Sequence, residues 1–368
     1  MRIGITTRSM DNRITGIGNY VYNIVRELKS SPSMEYILIH SKKSDNEWYK
    51  EFEELIIPRI PIIPYAINSS IALSMKKDFD TVHETENMGI MFPSKFRKIL
   101  TIHSLYTYLY PATVPVSWRL KMLVAKRFYP YHDIDKIITV SKTLKNEIMS
   151  VLNIPEEKIK VIYHGVDKNL FKRMEIDDNL TKEIREKYKL DTNFILSVTT
   201  LQPIKNIPVL LKAFYIFKKK YGLNQKLVIV GGKGWKYSEI YDLVRNLNIE
   251  KEVIFTGHVL NKELPIIYNL ADLFVFPSLY EGFGIPLLEA MACGCPVITS
   301  NISSMPEVVG DAGMLVNPYD VNKLADAMAK ILLNDDVRND FINNGLERVC
   351  KFSWKNAAKE TLEVYKHI

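Results

Sequence analysis

The sequence predicts an α/β protein built from two doubly wound, Rossmann-like domains facing a cleft, and three observations predict it. The 368 residues exceed what one compact core of ordinary size takes up. Short apolar runs alternate with helix-spaced apolar positions, and this happens twice along the chain. Between the two series, from about Asp167 to Asp191, the chain turns polar and charged, which places a domain boundary near residue 168.

The first series opens with an apolar run at residues 2–7. A polar loop ending in Gly16 and Gly18 follows, and then Val21, Ile24, Val25 and Leu28 at helical spacing. Strand-like runs recur at Tyr36–His40, Thr81–His83, Ile99–His103 and Lys136–Val140. The second series has runs at Phe194–Val198, Lys226–Val230, Val253–Thr256, Leu273–Phe276 and Pro296–Thr299. Between its first two lies a helical stripe of Val209, Leu210, Ala213, Phe214 and Phe217. From Ser353, an apolar face of Trp354, Ala357, Ala358, Leu362 and Tyr365 predicts a terminal amphipathic helix.

Composition excludes several classes. With 47% hydrophobic and 25% charged residues the chain is neither disordered nor fibrous. No run approaches the roughly 18 apolar residues of a membrane span, and the N-terminus has no signal pattern, so a cytoplasmic location is expected. Cys293, Cys295 and Cys350 make neither a disulfide framework nor a zinc site, and the close pair Cys293 and Cys295 is expected to be packing. Asp133 and Asp135 imitate a metal-binding pair but lack companions, so no metal is predicted. The net charge of +7 lies mostly in the first half, where residues 1–168 hold 24 basic against 18 acidic side chains. That half, residues 115–130 in particular, is a candidate for peripheral contact with anionic lipid, while no nucleic acid is expected as a partner.

Residues 273–294 carry the chemistry. A strand runs into a loop with Gly282 and Gly284, then into a short helix that Pro286 starts and Gly294 ends. Free N–H groups at about Leu287 and Leu288, the positive end of the helix dipole and the adjacent glycines make an anion site suited to a diphosphate. Glu281 before the helix and Glu289 one turn into it stand with seven residues between them. A carboxylate accepts from two neighbouring hydroxyls, so one holds a sugar diol and the other a ribose diol, with the phosphates between. Sugar, diphosphate and ribose compose a nucleotide-sugar. Lys205 lies just past the strand Phe194–Val198, at the carboxyl end where open α/β sheets bind ligands, and His103 ends Ile99–His103 in the same way.

This segment resembles the E-x7-E signature of the large retaining glycosyltransferase family with the GT-B fold (glycosyl transferases group 1, mannosyltransferase-like members). The resemblance runs over nearly the whole chain and is strongest from Phe194 to Pro318. It implies that Glu281, Lys205 and His103 are catalytic, Lys205 as the phosphate-binding lysine. Glu289, Gly282, Phe283, Gly284, Leu287, Leu288, Val259 and Thr200 would bind the donor, Val259 from a base-contacting turn. Gly16 and Gly18 would form the N-terminal glycine loop near acceptor and phosphate. It further implies that residues 353–368 return to an acceptor-binding domain at 1–168, with donor binding at 169–352. The implied reaction moves a hexose, mannose by overall likeness, from a nucleotide-diphosphate sugar to a glycan or lipid-linked acceptor, with retention and without a cofactor. Thr199 and Thr200 stand where the family carries an arginine. Lys233, Arg8 or a helix dipole would have to substitute, or the donor or rate is unusual.

Rival readings are a nucleotide-sugar epimerase, a phosphorylase, or a protein of the same fold that binds a nucleotide-sugar without catalysis. A dinucleotide fingerprint is disfavoured by Val21, where a third glycine would be needed. The run Gly231 to Gly234 lacks the spacing of a Walker loop and is expected to be a turn after a strand.

Overall fold

The computed structural model describes residues 1–11, 16–30, 34–42, 47–60, 65–76, 78–87, 92–120, 129–175 and 178–368. The chain forms two compact units. One comprises Met1–Tyr108, Arg119–Gly165 and Ser353–Ile368, and the other Leu109–Trp118 and Val166–Phe352. The division thus falls between Gly165 and Val166, and a ten-residue piece of the first half groups with the second unit.

The first unit holds a seven-stranded sheet of β1 (Arg2–Thr6), β2 (Glu35–His40), β3 (Glu53–Ile56), β4 (Thr81–Glu84), β5 (Arg97–Ile102), β6 (Lys136–Thr139) and β7 (Ile159–Val161), in the order β3-β2-β1-β4-β5-β6-β7. Every pairing is parallel. The central strands are apolar runs because helices cover both faces. The two edge strands escape sequence reading, since β3 begins with two glutamates and β7 spans three residues. Helix α1 (Gly16–Leu28) buries Val21, Ile24, Val25 and Leu28 as the spacing requires. Its start corrects the expectation of a glycine loop, because Gly16 and Gly18 are first-turn residues of α1 and Gly18 is buried. Helices α2 (Tyr65–Ser74) and α3 (Lys142–Leu152) follow.

The second unit holds β8 (Phe194–Val198), β9 (Lys226–Val230), β10 (Val253–Gly257), β11 (Leu273–Phe276), β12 (Val297–Ser300) and β13 (Gly313–Val316), parallel throughout, in the order β10-β9-β8-β11-β12-β13. Its helices are α4 (Asp178–Tyr188), α5 (Ile207–Tyr221), α6 (Tyr237–Asn246), α7 (Leu264–Leu270), α8 (Ile285–Ala292), α9 (Met305–Val309), α10 (Val321–Leu333) and α11 (Asp335–Arg348). The core gathers Leu210, Ala213, Phe214 and Phe217 of α5 with Ile195, Leu227, Ile229 and Val275 of the sheet. Each buried phenylalanine contributes about 1.5–3 kcal/mol by leaving water, so α5 is held by this stripe rather than by its triple-lysine end.

Helix α12 (Trp354–Lys366) belongs to the first unit. Ser353 caps it, and Trp354, Ala357, Ala358, Val364 and Tyr365 are buried together with Thr361, which sits deeper than Leu362. A Cβ on Gly165 would lie 2.2 Å from the Trp354 nitrogen, so only glycine lets the chain pass there. Among the described residues no helix is long and apolar enough to cross a membrane. Part of the 115–130 segment, residues 121–128, lies outside the described residues.

Candidate active site

In the second unit the strand order reverses between β8 and β11, and at such a point the loops leaving the two carboxyl ends diverge and open a crevice. The β8 loop ends in a single 3-10 turn, Pro203–Lys205. Asn206 fixes this turn: it adopts a left-handed conformation (φ 58°), and its amide donates to the carbonyls of Pro277 at 3.1 Å and Pro318 at 2.7 Å. The Leu279 N–H donates back to the Ile204 carbonyl at 2.9 Å. The loop carrying Lys205 is thereby stitched to the loop carrying Glu281. Lys205 Nζ donates to Glu281 Oε1 at 2.6 Å and stands 5.7 Å from the Phe276 ring centre. The side chains are 18% and 13% exposed, so the pair is shielded yet reachable. Ser303 and Ser304 donate to the Glu281 carbonyl at 2.7 and 2.8 Å, and the Glu281 N–H donates to Ser303 Oγ at 3.2 Å. Lys205 and Glu281, 76 residues apart in sequence, are thus brought together.

Helix α8 starts from Gly284, whose φ of 104° suits glycine. Of the donors expected at Leu287 and Leu288, the correction concerns Leu287, whose N–H already donates to the Gly284 carbonyl at 3.0 Å. Pro286 has no N–H, and by helix geometry the N–H groups of Gly284 and Ile285 have no partner within the helix. Phe283 is also a core residue, 5.7 Å from the Phe352 ring, and its carbonyl accepts from Ser304 at 3.0 Å.

Glu289 is 8% exposed. Burial pushes its carboxyl up to about 7, against a hydrogen bond from Tyr268 that pulls it down. The Tyr268 hydroxyl donates to Oε2 at 3.0 Å. One turn on, Cys293 is buried, and its thiol is pushed up by burial and then by the Glu289 charge; burial does the same for Cys295. Cys350 is exposed.

Thr200 is exposed at the start of the β8 loop and Val259 is buried in the loop after β10. The stand-ins for the absent arginine are both engaged. Lys233 Nζ stands over the rings of Tyr237 and Tyr241, at 4.9 and 5.9 Å, and Arg8 is ion-paired with Glu86. The turn at Gly231–Gly234 follows β9 as expected. It is zipped to the β8 loop by bonds from Leu201 N–H to the Gly232 carbonyl (2.9 Å) and from Gly234 N–H to the Leu201 carbonyl (3.0 Å).

In the first unit, His103 is buried beyond β5. Its Nε2 lies 2.8 Å from the Thr85 carbonyl, which only accepts, so Nε2 carries the proton. Its backbone N–H donates to Asn87 Oδ1 at 2.7 Å. Burial pulls this imidazole down to about 4, the Thr85 bond opposing, so it is neutral at pH 7. Tyr20 meets His103 edge-on at 4.7 Å and His164 at 5.1 Å. Behind them His83 links Tyr365 Oη (2.6 Å) to Thr101 Oγ1 (2.7 Å). Asn206, Tyr268, Ser303, Ser304 and this Tyr20–His164 cluster escape a sequence reading. Asn206 alone left a signal, as a polar residue next to Lys205. Among the described residues no group of His, Cys, Asp and Glu side chains could hold a metal ion.

Two parallel-sheet Rossmann-like domains, the second with the Lys205–Glu281 pair at its strand reversal, are those of a glycosyltransferase of the GT-B fold. Residues 14–170 match the model of Glycosyltransferase Family 4 and residues 181–348 that of Glycosyl transferases group 1, and the chain belongs to this family. It is 29% identical, over the whole of both chains, to the O-antigen chain mannosyltransferase B of Escherichia coli. To the O-antigen chain mannosyltransferase RfbU of Salmonella typhimurium it is 28% identical over 89% of this chain and 90% of that one. The Anabaena protein HepE, solved with UDP and glucose, superposes over 100% of both chains with a TM-score of 0.80 at 17% identity, a likeness of fold.

Proposed function

We propose that the protein transfers mannose from a nucleoside-diphosphate mannose to a glycan or lipid-linked acceptor, with retention of configuration. The observation that carries this is the Lys205–Glu281 pair at the strand reversal, beside the start of α8. Negative charge develops on the departing diphosphate, and a preorganised cation stabilises it most where water is excluded. Lys205, already held in place by the Asn206 stitching, supplies that charge, with the N–H groups of Gly284 and Ile285 beside it. Glu281 then turns from its lysine to the hydroxyls of the transferred sugar, and Glu289 accepts from the ribose. No metal enters this scheme. The neutral His103, with Nε2–H committed to Thr85, has Nδ1 to accept from a substrate hydroxyl on the acceptor-binding first unit. Retention follows if the leaving phosphate takes the acceptor proton on the face it departs from.

The sugar and the acceptor class rest on the full-length likeness to mannosyltransferases of O-antigen chains. A lipid-linked acceptor fits a peripheral place at a membrane. Val116, Trp118 and Leu120 are 64%, 50% and 60% exposed beside Arg119, an apolar and basic combination suited to a lipid surface.

Thermal-shift measurements with GDP-mannose and UDP-sugars identify the donor by mass action on the folded state. With that donor and a lipid-linked oligosaccharide acceptor, Lys205→Ala and Glu281→Gln are each expected to lower kcat/KM by about 10²–10³-fold. Folded variants that both turn over at the wild-type rate refute the proposal.

A further inference from the structure

We infer that Tyr268 is a positioning residue for donor binding, its hydroxyl holding Glu289 as a carboxylate with Oε1 presented to the ribose. This rests on the assignment of Glu289 to the ribose made above.

Tyr268 is fully buried, and its hydroxyl donates to Glu289 Oε2 at 3.0 Å. Among the described residues Oε1 has no partner, so the carboxylate has one engaged and one available oxygen. Burial disfavours the charged form of a carboxyl, and it pushes Glu289 up to about 7 even against the Tyr268 hydrogen bond. A protonated carboxyl would offer the ribose a donor and one good acceptor, where two hydroxyls need acceptors. The tyrosine opposes that protonation. It adds no charge of its own, because burial and the Glu289 charge push its phenol well above its ordinary value.

The seven-residue helix α7 that carries Tyr268 is clamped at both ends. Glu263, just before it, accepts from Lys187 at 2.7 Å and from Tyr188 at 2.5 Å. Asn269 donates to the Lys172 carbonyl at 2.9 Å and accepts from the Met174 N–H at 3.0 Å. The ring is wedged edge-on between Phe171 (6.1 Å) and Phe274 (5.5 Å). A phenol so confined has little freedom left to lose when it bonds Glu289, and it fixes the direction in which Oε1 points. Tyr268→Phe keeps this wedge and removes the donor alone.

The test is the pH dependence of nucleoside diphosphate binding, with GDP, UDP and ADP as probes, by calorimetry from pH 6 to 9 on wild type, Tyr268→Phe and Glu289→Gln. Wild type is expected to bind its preferred nucleotide more weakly as pH falls below about 7, where Glu289 protonates. In Tyr268→Phe that weakening starts at higher pH, so Kd rises about tenfold at pH 7 and returns to within about threefold of wild type at pH 9. A purely structural tyrosine would leave a loss that does not depend on pH, and that result, or an unchanged Kd at pH 7, overturns the inference. If Tyr268→Phe does not fold, the wild-type profile against Glu289→Gln decides: a wild-type Kd flat from pH 6 to 9 overturns it too. Glu289→Gln binding as tightly as wild type at every pH refutes the ribose assignment itself, a result distinct from failure at Tyr268 alone.

Discussion

A single methyl group at Gly231 is enough to force apart the two turns at the head of the second sheet. The glycine adopts φ 147°, and a Cβ placed there would lie 1.8 Å from the Thr199 carbonyl oxygen and 2.6 Å from its carbon. Neither neighbour is free to retreat. The Thr199 N–H is bound to the Val230 carbonyl at 2.7 Å, and the Gly231 N–H to the Gly257 carbonyl at 2.8 Å. Gly231→Ala therefore combines a backbone conformation costing about 1–3 kcal/mol with displacement of packed backbone at a further ~1–3 kcal/mol. The expected loss is about 4 kcal/mol, a drop of roughly 1.5 M in the urea midpoint of the second unit at an m-value of about 2.5 kcal/mol/M. Two neighbouring glycines serve as controls in the same far-ultraviolet circular dichroism titration. Gly232→Ala meets open space and should stay within about 0.5 kcal/mol of wild type. Gly222→Ala is equally uncrowded but at φ 64°, and should lose only about 1 kcal/mol. A Gly231→Ala loss no larger than that of Gly222→Ala would show that the clash is relieved at no cost, and the reasoning would fall.

Two further outcomes are expected besides the losses at Lys205 and Glu281. Asn206→Ala gives up two bonds to buried carbonyls and puts alanine at a left-handed position, so stability should fall by about 2–3 kcal/mol and kcat with it, since Lys205 loses its anchor; urea titration and steady-state rates check this, and a stable variant of normal rate contradicts it. The fully buried His40 lies 2.9 Å from Glu54 and 3.6 Å from Asp11 and stacks on Tyr49; although burial pulls it down, the two carboxylates prevail and its affinity for protons is raised. The stability it confers is thus present below about pH 6.5, its unfolded value, and is lost as pH rises through the folded one, so the gap in urea midpoint between wild type and His40→Gln should narrow from pH 6 to pH 9; a gap that widens has the wrong sign.

The second unit was legible in sequence almost strand for strand, because its central strands are apolar runs covered on both faces and its helices carry wide stripes. β13 and the edge strands of the first sheet were not, since an edge strand needs few residues and only one buried side. At the candidate site, Lys205 and Glu281 were recognisable from loop position, but the bond between them is a product of strand order, which brings together residues 76 apart. The donor placed at Leu287 is already spent, because its N–H folds back onto the carbonyl of the capping Gly284. Tyr268 left no trace at all: within an apolar helix its ring looks like any other core residue, and only its hydroxyl distinguishes it.

The burial of Cys293 behind Glu289 bears on thiol chemistry. Thiolate is the reactive form, and both Cys293 and Cys295 are held as thiols inside the second unit while Cys350 is exposed. A maleimide added to the native enzyme should therefore couple with one equivalent, at Cys350, and with three after unfolding. The stoichiometry of labelling then counts open molecules, and a fluorophore placed at Cys350 reports on the second unit while leaving Glu289 untouched.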